Sequence, residues 1–331
     1  MFVPEINNAF HSYESIKNWK LHQIPHHLID STTLNHFHDK VMKKVFDLAL
    51  IRLGKGKAPC PYTWFITGSG GRMEQGIISD QDHGLIFDHS IADSKEFFLA
   101  LGEEVSYGLN IVGYPYCEGK VMSSNPLWCK SLADWKIQLF QWMEEESWSS
   151  IRYLQIFYDG RRLIGNDHFI SILKNFIHKY QKAHPRLMKR MMENVMHVKN
   201  AIGPLGQIIV EEKGLHTGSI DLKYSAFLPY VNAVRILSIK EGILETTTID
   251  RINRLLELPK YHHELTDYKL NFQRLLQYRL ALFQQDDTYT DTHYLNIKHF
   301  SKEEKKVIKK ILKDGKKLHH YVSGIIEKGV M

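Results

Sequence analysis

The sequence predicts an α+β protein: a small unit of strands and helices over about residues 60 to 160, followed by a mainly α-helical region. Three observations predict this. Two short apolar runs, Tyr62 to Thr67 and Gly84 to Phe87, have the length and the β-branched or aromatic content of buried strands. Apolar residues at helical spacing flank them, upstream from Ser31 to Gly54 and downstream from Lys95 to Val112. Beyond about residue 160 the helical period dominates, broken by Gly, Pro and polar stretches. The order strand, turn, strand, helix, strand suits a small α/β or α+β unit.

Each element has its own signal. Leu34, Phe37, Val41, Val45 and Leu48 recur at steps of three and four, with Ser31 or Thr32 available as a cap and Gly54 as a stop. KGKAPCP then breaks the pattern, and Gly68 to Arg72 reads as a turn between strands. A short extended piece is expected around Tyr114 to Met122. Helices are expected at Ser131 to Met143, His168 to His184, Leu187 to Ala201, Ile220 to Ile239, His263 to Gln285 and Lys302 to Lys317. No internal repeat is present. Trp135, Phe140 and Trp142 form an aromatic stripe expected in a core.

With 331 residues and 43% hydrophobic content, the chain can bury one large core or two ordinary ones. The formal charge is +6, but residues 301 to 331 hold nine lysines against four acids, and the rest is nearly neutral. That distribution argues against a nucleic-acid partner, which calls for basic residues on the folded body. The lysine-rich last helix has one apolar face, Val307, Ile308, Ile311 and Leu312, and an outer face read as solvated, with an acidic partner or a membrane surface as the alternative. Three cysteines without metal or redox spacing suit a reducing, cytoplasmic setting. MFVPEINNAF lacks the pattern of a signal peptide, and no segment has 18 uninterrupted apolar residues, so no membrane partner is expected.

The chemistry concentrates in FITGSGGRMEQGIISDQDHGLIFD, Phe65 to Asp88. Asp80 and Asp82, two positions apart, point the same way on extended chain. Two neighbouring carboxylates repel, and a divalent cation relieves the repulsion. Oxygen ligands suit Mg²⁺ or Mn²⁺, which keep positions open for phosphate oxygens. Upstream, Gly68, Ser69, Gly70 and Gly71 allow a tight turn whose N–H groups converge on an anion, and Arg72 adds a positive fork. Taken singly, a glycine turn or an S-D-x-D stretch also serves as ordinary turn or cap structure. Together after a strand they describe a nucleoside triphosphate (NTP) site. A P-loop is excluded because no lysine follows these glycines, and a dinucleotide fingerprint lacks its third glycine.

Other residues read as structural. The histidine pairs His26/His27, His36/His38, His262/His263 and His319/His320 have no metal spacing. His83 faces away from Asp80 and Asp82 on a regular strand, which suits packing or support. Asn125 and Trp128 could contact sugar or base, with an ordinary Asn-Pro turn as the simpler reading. Asp221 sits at an expected helix start, where it can cap.

A strand ending in Gly-Ser, then Asp-x-Asp entering a second strand, resembles the nucleotidyltransferase superfamily that includes DNA polymerase β. The longer pattern, carried by Gly68, Ser69, Gly71, Arg72, Glu74, Gln75, Asp80, Gln81, Asp82, Leu85, Ile86 and Phe87, is similar to a narrower group of nucleotidyltransferases. That group is related to the N-terminal domain of bacterial PII-protein uridylyltransferase. GYPYCEGKVMSSNPLWCKSLADW (Gly113 to Trp135), the strand-like IFYDGRRLIGN (Ile156 to Asn166) and the segment from Lys213 to Ile243 resemble further parts of it.

The resemblance implies a small nucleotidyltransferase-type mixed sheet flanked by helices, then a helical substrate-binding domain. It divides the chain into a helical extension at 1–58, a catalytic domain at 59–165 and a helical domain at 166–331. Many relatives carry sensory domains ahead of the catalytic unit; with roughly thirty residues before the first expected helix, none is expected in this sequence. The implied activity transfers UMP or AMP from an NTP to a hydroxyl of a protein or small molecule. Gly68, Ser69, Gly71, Arg72 and Lys223 would bind nucleotide, and Asp80 and Asp82 would ligate Mg²⁺ or Mn²⁺. A third carboxylate is expected at Asp159, with Glu118 as the alternative, while Glu74 either shares the chemistry or pairs with Arg72.

Overall fold

The computed structural model describes residues 10–88, 92–281 and 291–329. By packing, the chain divides into two units, Met1–Gln141 with Asp159–Leu173, and Trp142–Tyr158 with Lys174–Met331.

The first unit is built on a four-stranded mixed sheet. Strands β1 (Tyr62–Ile66), β2 (His83–Phe87), β3 (Cys129–Ser131) and β4 (Arg161–Gly165) lie in the order β3-β2-β1-β4. β1 is antiparallel to β2, with Tyr62 opposite Phe87 and Ile66 opposite His83, and antiparallel to β4 with an irregularity at Trp64/Phe65. β3 runs parallel to β2.

Both faces of β1 are covered, which is why the strand reads as an unbroken apolar run rather than an alternating one. On one side Trp64 and Ile66 join the core made by Ile16 of α1 (Tyr13–Gln23), Phe37, Val41 and Val45 of α2 (Ser31–Leu53), and Leu101 and Val105 of α4 (Ala92–Val112). On the other, Phe65 meets Trp135 of α5 (Leu132–Glu145) edge-on at 5.9 Å, and the Trp135 indole donates to the Leu85 carbonyl. Trp135 and Trp142 are buried, whereas Phe140 of the same stripe is exposed.

The cap of α2 is Asp30, whose carboxylate accepts from the Thr33 N–H at 2.8 Å, and Gly54 closes the helix at φ +65°. Ser31 and Thr32, the expected caps, lie inside the helix because Asp30 is the residue with extended backbone. The third strand also differs from expectation. Residues 114–122 form no strand but lie along the entry to β2 through the bridge Gln81 to Tyr116 and the bond from His83 N–H to Val121 O, while Cys129–Ser131 forms β3. Three residues are too few to show a period. Ile156–Tyr158 of the strand-like segment end helix α6 (Trp148–Tyr158), and only after the turn at Asp159 and Gly160 does β4 begin.

The second unit is helical, as expected. Helix α9 (Leu228–Glu241) is buried all round and packs against α8 (Arg186–Asn194), α10 (Thr248–Leu256) and α12 (Lys302–Lys328), with α11 (Pro259–Ala281) on α10 and α12. Helix α7 (Phe169–Ala183) begins one residue after His168, and α12 continues past Lys317 because its apolar face continues through Leu318, Val322 and Ile326. The expected helix at 187–201 ends at Asn194. Residues 282–285 of the expected helix from His263 lie outside the described residues. The expected helix from Ile220 starts instead as a strand, β5 (Ser219–Asp221), antiparallel to β6 (Tyr294–Asn296). One wide π-type turn, Lys223–Phe227, then leads into α9. Among the described residues no helix is long and apolar enough to cross a membrane.

The division by packing differs from one at 58 and 165 for a physical reason. The helices before residue 58 share one core with the sheet, and residues 142–158 pack with the helical unit through α6 on α8.

Among the described residues of the first unit, Lys20 is buried without an ion-pair partner. Lys20, 5% exposed, donates to the carbonyls of Val112 and Gly113 and lies 3.8 Å from the Tyr114 ring centre. Burial, with help from Lys17, lowers its pKa from 10.5 to about 7. Between those values the unfolded chain binds a proton that the folded chain does not, so stability rises with pH across the window. Urea midpoints of wild type minus Lys20→Met are therefore expected to climb from pH 7 to pH 10 and to level off above it. A flat difference would show Lys20 to be solvated.

Candidate active site

The site lies where the chain leaves β1 and enters β2. After Ile66 the segment Gly68–Gly71 forms one helical turn, α3, closed by Gly71 N–H to Thr67 O at 2.8 Å and Glu74 N–H to Ser69 O at 2.8 Å. The first N–H groups of such a turn have no carbonyl within it to bond. Gly68 sits at φ +57°, and a Cβ there would lie 2.2 Å from Oδ2 of Asp82, so only glycine lets that carboxylate lie against the turn. Ser69 is half-buried, its Oγ 3.3 Å from Oγ of Ser79. Gly71 is packed inward, where a Cβ would meet the Asp159 carbonyl at 2.1 Å.

Alternation sets the two aspartates. Gln81 and His83 are buried, Asp80 and Asp82 half-exposed. The Trp64 indole N–H donates to Nδ1 of His83 at 3.2 Å, which makes Nε2 the protonated nitrogen and donor to Gln81 Oε1 at 2.9 Å. Gln81 in turn donates to the carbonyls of Ser106 and Tyr114. Burial holds the His83 pKa at about 3, so the ring is neutral. The loop after α4 is stitched alongside by Gln81 N–H to Pro115 O at 3.1 Å and His83 N–H to Val121 O at 3.0 Å. That stitching brings Cys117 to the aspartates.

Ligand atoms of Asp80, Asp82 and Cys117 all lie within 4.8 Å of one another, the cluster among the described residues that could hold a metal ion. Burial and then the charge of Asp82, to which the thiol donates, push the Cys117 pKa to about 12, with Asp80 adding to it. Two close carboxylates that also raise a neighbour's pKa form a concentration of negative charge, and hard oxygen donors suit Mg²⁺ or Mn²⁺. Cys117 was not among the residues expected here. Its place in GYPYCEGK was the available signal, but its approach to Asp82 depends on the pairing of residues 115 and 121 with the start of β2.

Arg72, Glu74 and Asp159 form a separate, buried group. Arg72 Nε donates to Glu74 at 2.7 Å and Nη1 to Asp159 at 2.6 Å, the three side chains being 10%, 2% and 1% exposed. Burial opposes the guanidinium charge, but the two carboxylates outweigh it and raise the Arg72 pKa. Asp159 therefore meets Arg72, not the Asp80–Asp82 cluster. Arg161 next to it forks onto Asp39 at 2.9 and 2.6 Å and donates to the Gly70 carbonyl at 3.1 Å, fastening the turn to α2 and β4. Glu118 is exposed on the loop and outside the metal-competent cluster.

The remaining residues fall elsewhere. Asn125 bonds Lys120 O and Leu127 N–H within its own turn, and Trp128 is fully buried beside Trp135. Lys223 lies in the second unit at the π-type turn, 5.8 Å from the Tyr224 ring centre. Asp221 is buried, accepting from the Tyr224 N–H and from Lys199.

Two family models match the chain. Residues 26–148 match the family described as "Putative nucleotidyltransferase DUF294", and residues 185–325 match its "Putative nucleotidyltransferase substrate binding domain". No curated protein matches the chain. The first match spans the glycine turn, the aspartate pair and Cys117, and the second covers α8 to α12 of the helical unit. The chain belongs to this nucleotidyltransferase family, with its N-terminal nucleotidyltransferase domain followed by its helical substrate-binding domain.

Proposed function

We propose that the protein transfers a nucleoside monophosphate, UMP or AMP, from an NTP to a hydroxyl of a protein or small molecule, releasing pyrophosphate. The convergence of Asp80 and Asp82 beside the Gly68–Gly71 turn carries this reading. In it the two aspartates hold Mg²⁺ or Mn²⁺, and Gly68 and Ser69 receive the triphosphate. A divalent cation bound there supplies neutralisation of phosphate charge and a lower pKa for the acceptor hydroxyl. The acceptor oxygen bonds to the α-phosphorus as the bridging bond to the β-phosphate breaks, and the hydroxyl proton is released.

Arg72 and Asp159 are assigned to holding the turn, because both are buried and bonded to each other. Gly71 serves the same packing. The assignment of Lys223 to nucleotide rests on the family resemblance, and Lys223→Gln tests it through the KM for NTP. A cytoplasmic setting, suggested by the free thiols of Cys60, Cys117 and Cys129, belongs to the same reading. One observation favours a second reading, a catalytically silent nucleotide-binding regulator: among the described residues no third carboxylate joins the aspartate cluster.

Incubation with each labelled NTP, Mg²⁺ and cell lysate is expected to release pyrophosphate and label an acceptor. Nucleotide binding without turnover for all four NTPs selects the regulator. Asp80→Asn and Asp82→Asn are each expected to lower turnover at least about a hundredfold, since a lost catalytic cation costs several kcal/mol. Gly68→Ala is expected to displace the Asp82 carboxylate and lower turnover while the circular dichroism spectrum is kept. Arg72→Met strands two buried carboxylates and is expected to cost about 3–5 kcal/mol of stability by urea denaturation. A neutral result there would return Arg72 to the phosphate.

A further inference from the structure

The first three turns of α12 carry Lys302, Lys305, Lys306 and Lys309, spaced at the steps of three and four that place side chains on one helix face. Like charges at that spacing repel and destabilise the helix. Lys298, just beyond β6, joins them around a cavity of about 590 Å³ in the helical unit. Among the described residues none of the five makes an ion pair, and no acid and no arginine lines the cavity. Of the acids close by in the chain, Glu304 accepts from the Ser301 N–H in the helix cap and Glu211 pairs with Lys199 at 2.7 Å, while Glu303, beside Lys302, is exposed and does not line the cavity.

Part of the lining is backbone folded back on itself. Gly203 N–H bonds Gln207 O at 2.8 Å and Gly206 N–H bonds Gly203 O at 2.9 Å, presenting Gly206 and Gln207 to the cavity. A Cβ on Gly206 would lie 3.2 Å from the Lys309 ammonium, and one on Gly218 would lie 2.6 Å from Cε of Lys298. The two glycines thus leave the space in which those side chains lie. Ile208, Val210 and Ile297 give the cavity an apolar floor.

A second cavity along the same helix has a different character. Of its lining residues, Lys199 is paired with Glu211 and Asp221, and Lys317 lies 3.9 Å from Asp314.

We infer that the first cavity is a binding site for a small anion bearing a chain of phosphates. Five ammonium groups without a guanidinium suit a ligand whose charge is spread over several tetrahedral groups, whereas arginine forks favour planar two-point recognition. The volume is within the range of small-molecule sites. The site belongs to the helical unit and stands independently of the transfer reaction proposed above.

The test is calorimetric titration of the full chain carrying Asp80→Asn and Asp82→Asn, in EDTA, with inorganic tripolyphosphate and separately with ATP. One tripolyphosphate per chain is expected, weakened about tenfold or more by Lys305→Gln with Lys309→Gln. Lys313→Gln with Lys316→Gln removes the same charge from the same helix and is expected to change affinity far less. ATP that displaces tripolyphosphate and binds more tightly assigns the site to a nucleoside polyphosphate, and ATP that fails to displace it assigns an inorganic chain. Absence of binding overturns the inference. So does equal loss in the two double variants, or tighter binding of a single-stranded oligonucleotide weakened equally by both, since either outcome means diffuse charge and no built site.

Discussion

The hydrogen bonds around His83 fix the register at which the chain enters β2, and the geometry of the aspartate pair depends on that register. Because the Trp64 indole can only donate, Nδ1 of His83 must accept, and Nε2 is left to donate to Gln81. A slip of one residue would put Asp80 and Asp82 into the core and Gln81 and His83 into solvent, exchanging a satisfied polar chain for two buried charges. The imidazole must be neutral for this arrangement, and burial keeps it so. The apolar packing of Trp64 on Phe46, 4.8 Å between ring centres, anchors the far end of the chain of bonds.

Charge in the first unit is thereby sorted into two groups with opposite solvation. Arg72, Glu74 and Asp159 are withdrawn from water, and breaking such a buried group costs more than its formation contributes. Its value is positional: with Arg161 on Gly70 it pins the glycine turn to β4. Asp80 and Asp82 remain half-exposed, with Gly68 as the neighbour that makes room for Asp82. A nucleotidyltransferase site needs both parts, a turn that cannot drift and carboxylates that a cation can reach.

In the helical unit the division runs along one helix. α12 buries Ile308, Ile311, Leu318 and Val322 against its own unit while lysines occupy the flanking positions. The apolar face explains why the helix forms, and the unpaired lysines at its start are explained by neither packing nor propensity.

Much of this was legible beforehand. The strands at 62 and 84, the helices from 31 and 95, the turn at 68–72 and the shared direction of Asp80 and Asp82 all follow, within a few residues, from apolar runs, helical spacing, glycines and strand alternation. What escaped was set by partners far along the chain. β3 is three residues long and exists through pairing with β2, β5 exists through pairing with residues more than seventy positions later, and α6 carries the chain to Tyr158 as helix where the family resemblance implied strand. Asp159 could be named as a carboxylate of interest, but its partner Arg72 lies 87 positions away. Cys117 had no local spacing to connect it with the aspartates. The sequence by itself determined the longer helices and the two central strands, the glycine turn and the side on which two acids project, because these depend on the local period of the chain and on glycine's freedom. Tertiary structure decided which charges are buried together and which thiol meets the acids, because burial and long-range pairing exist only once distant segments share a core.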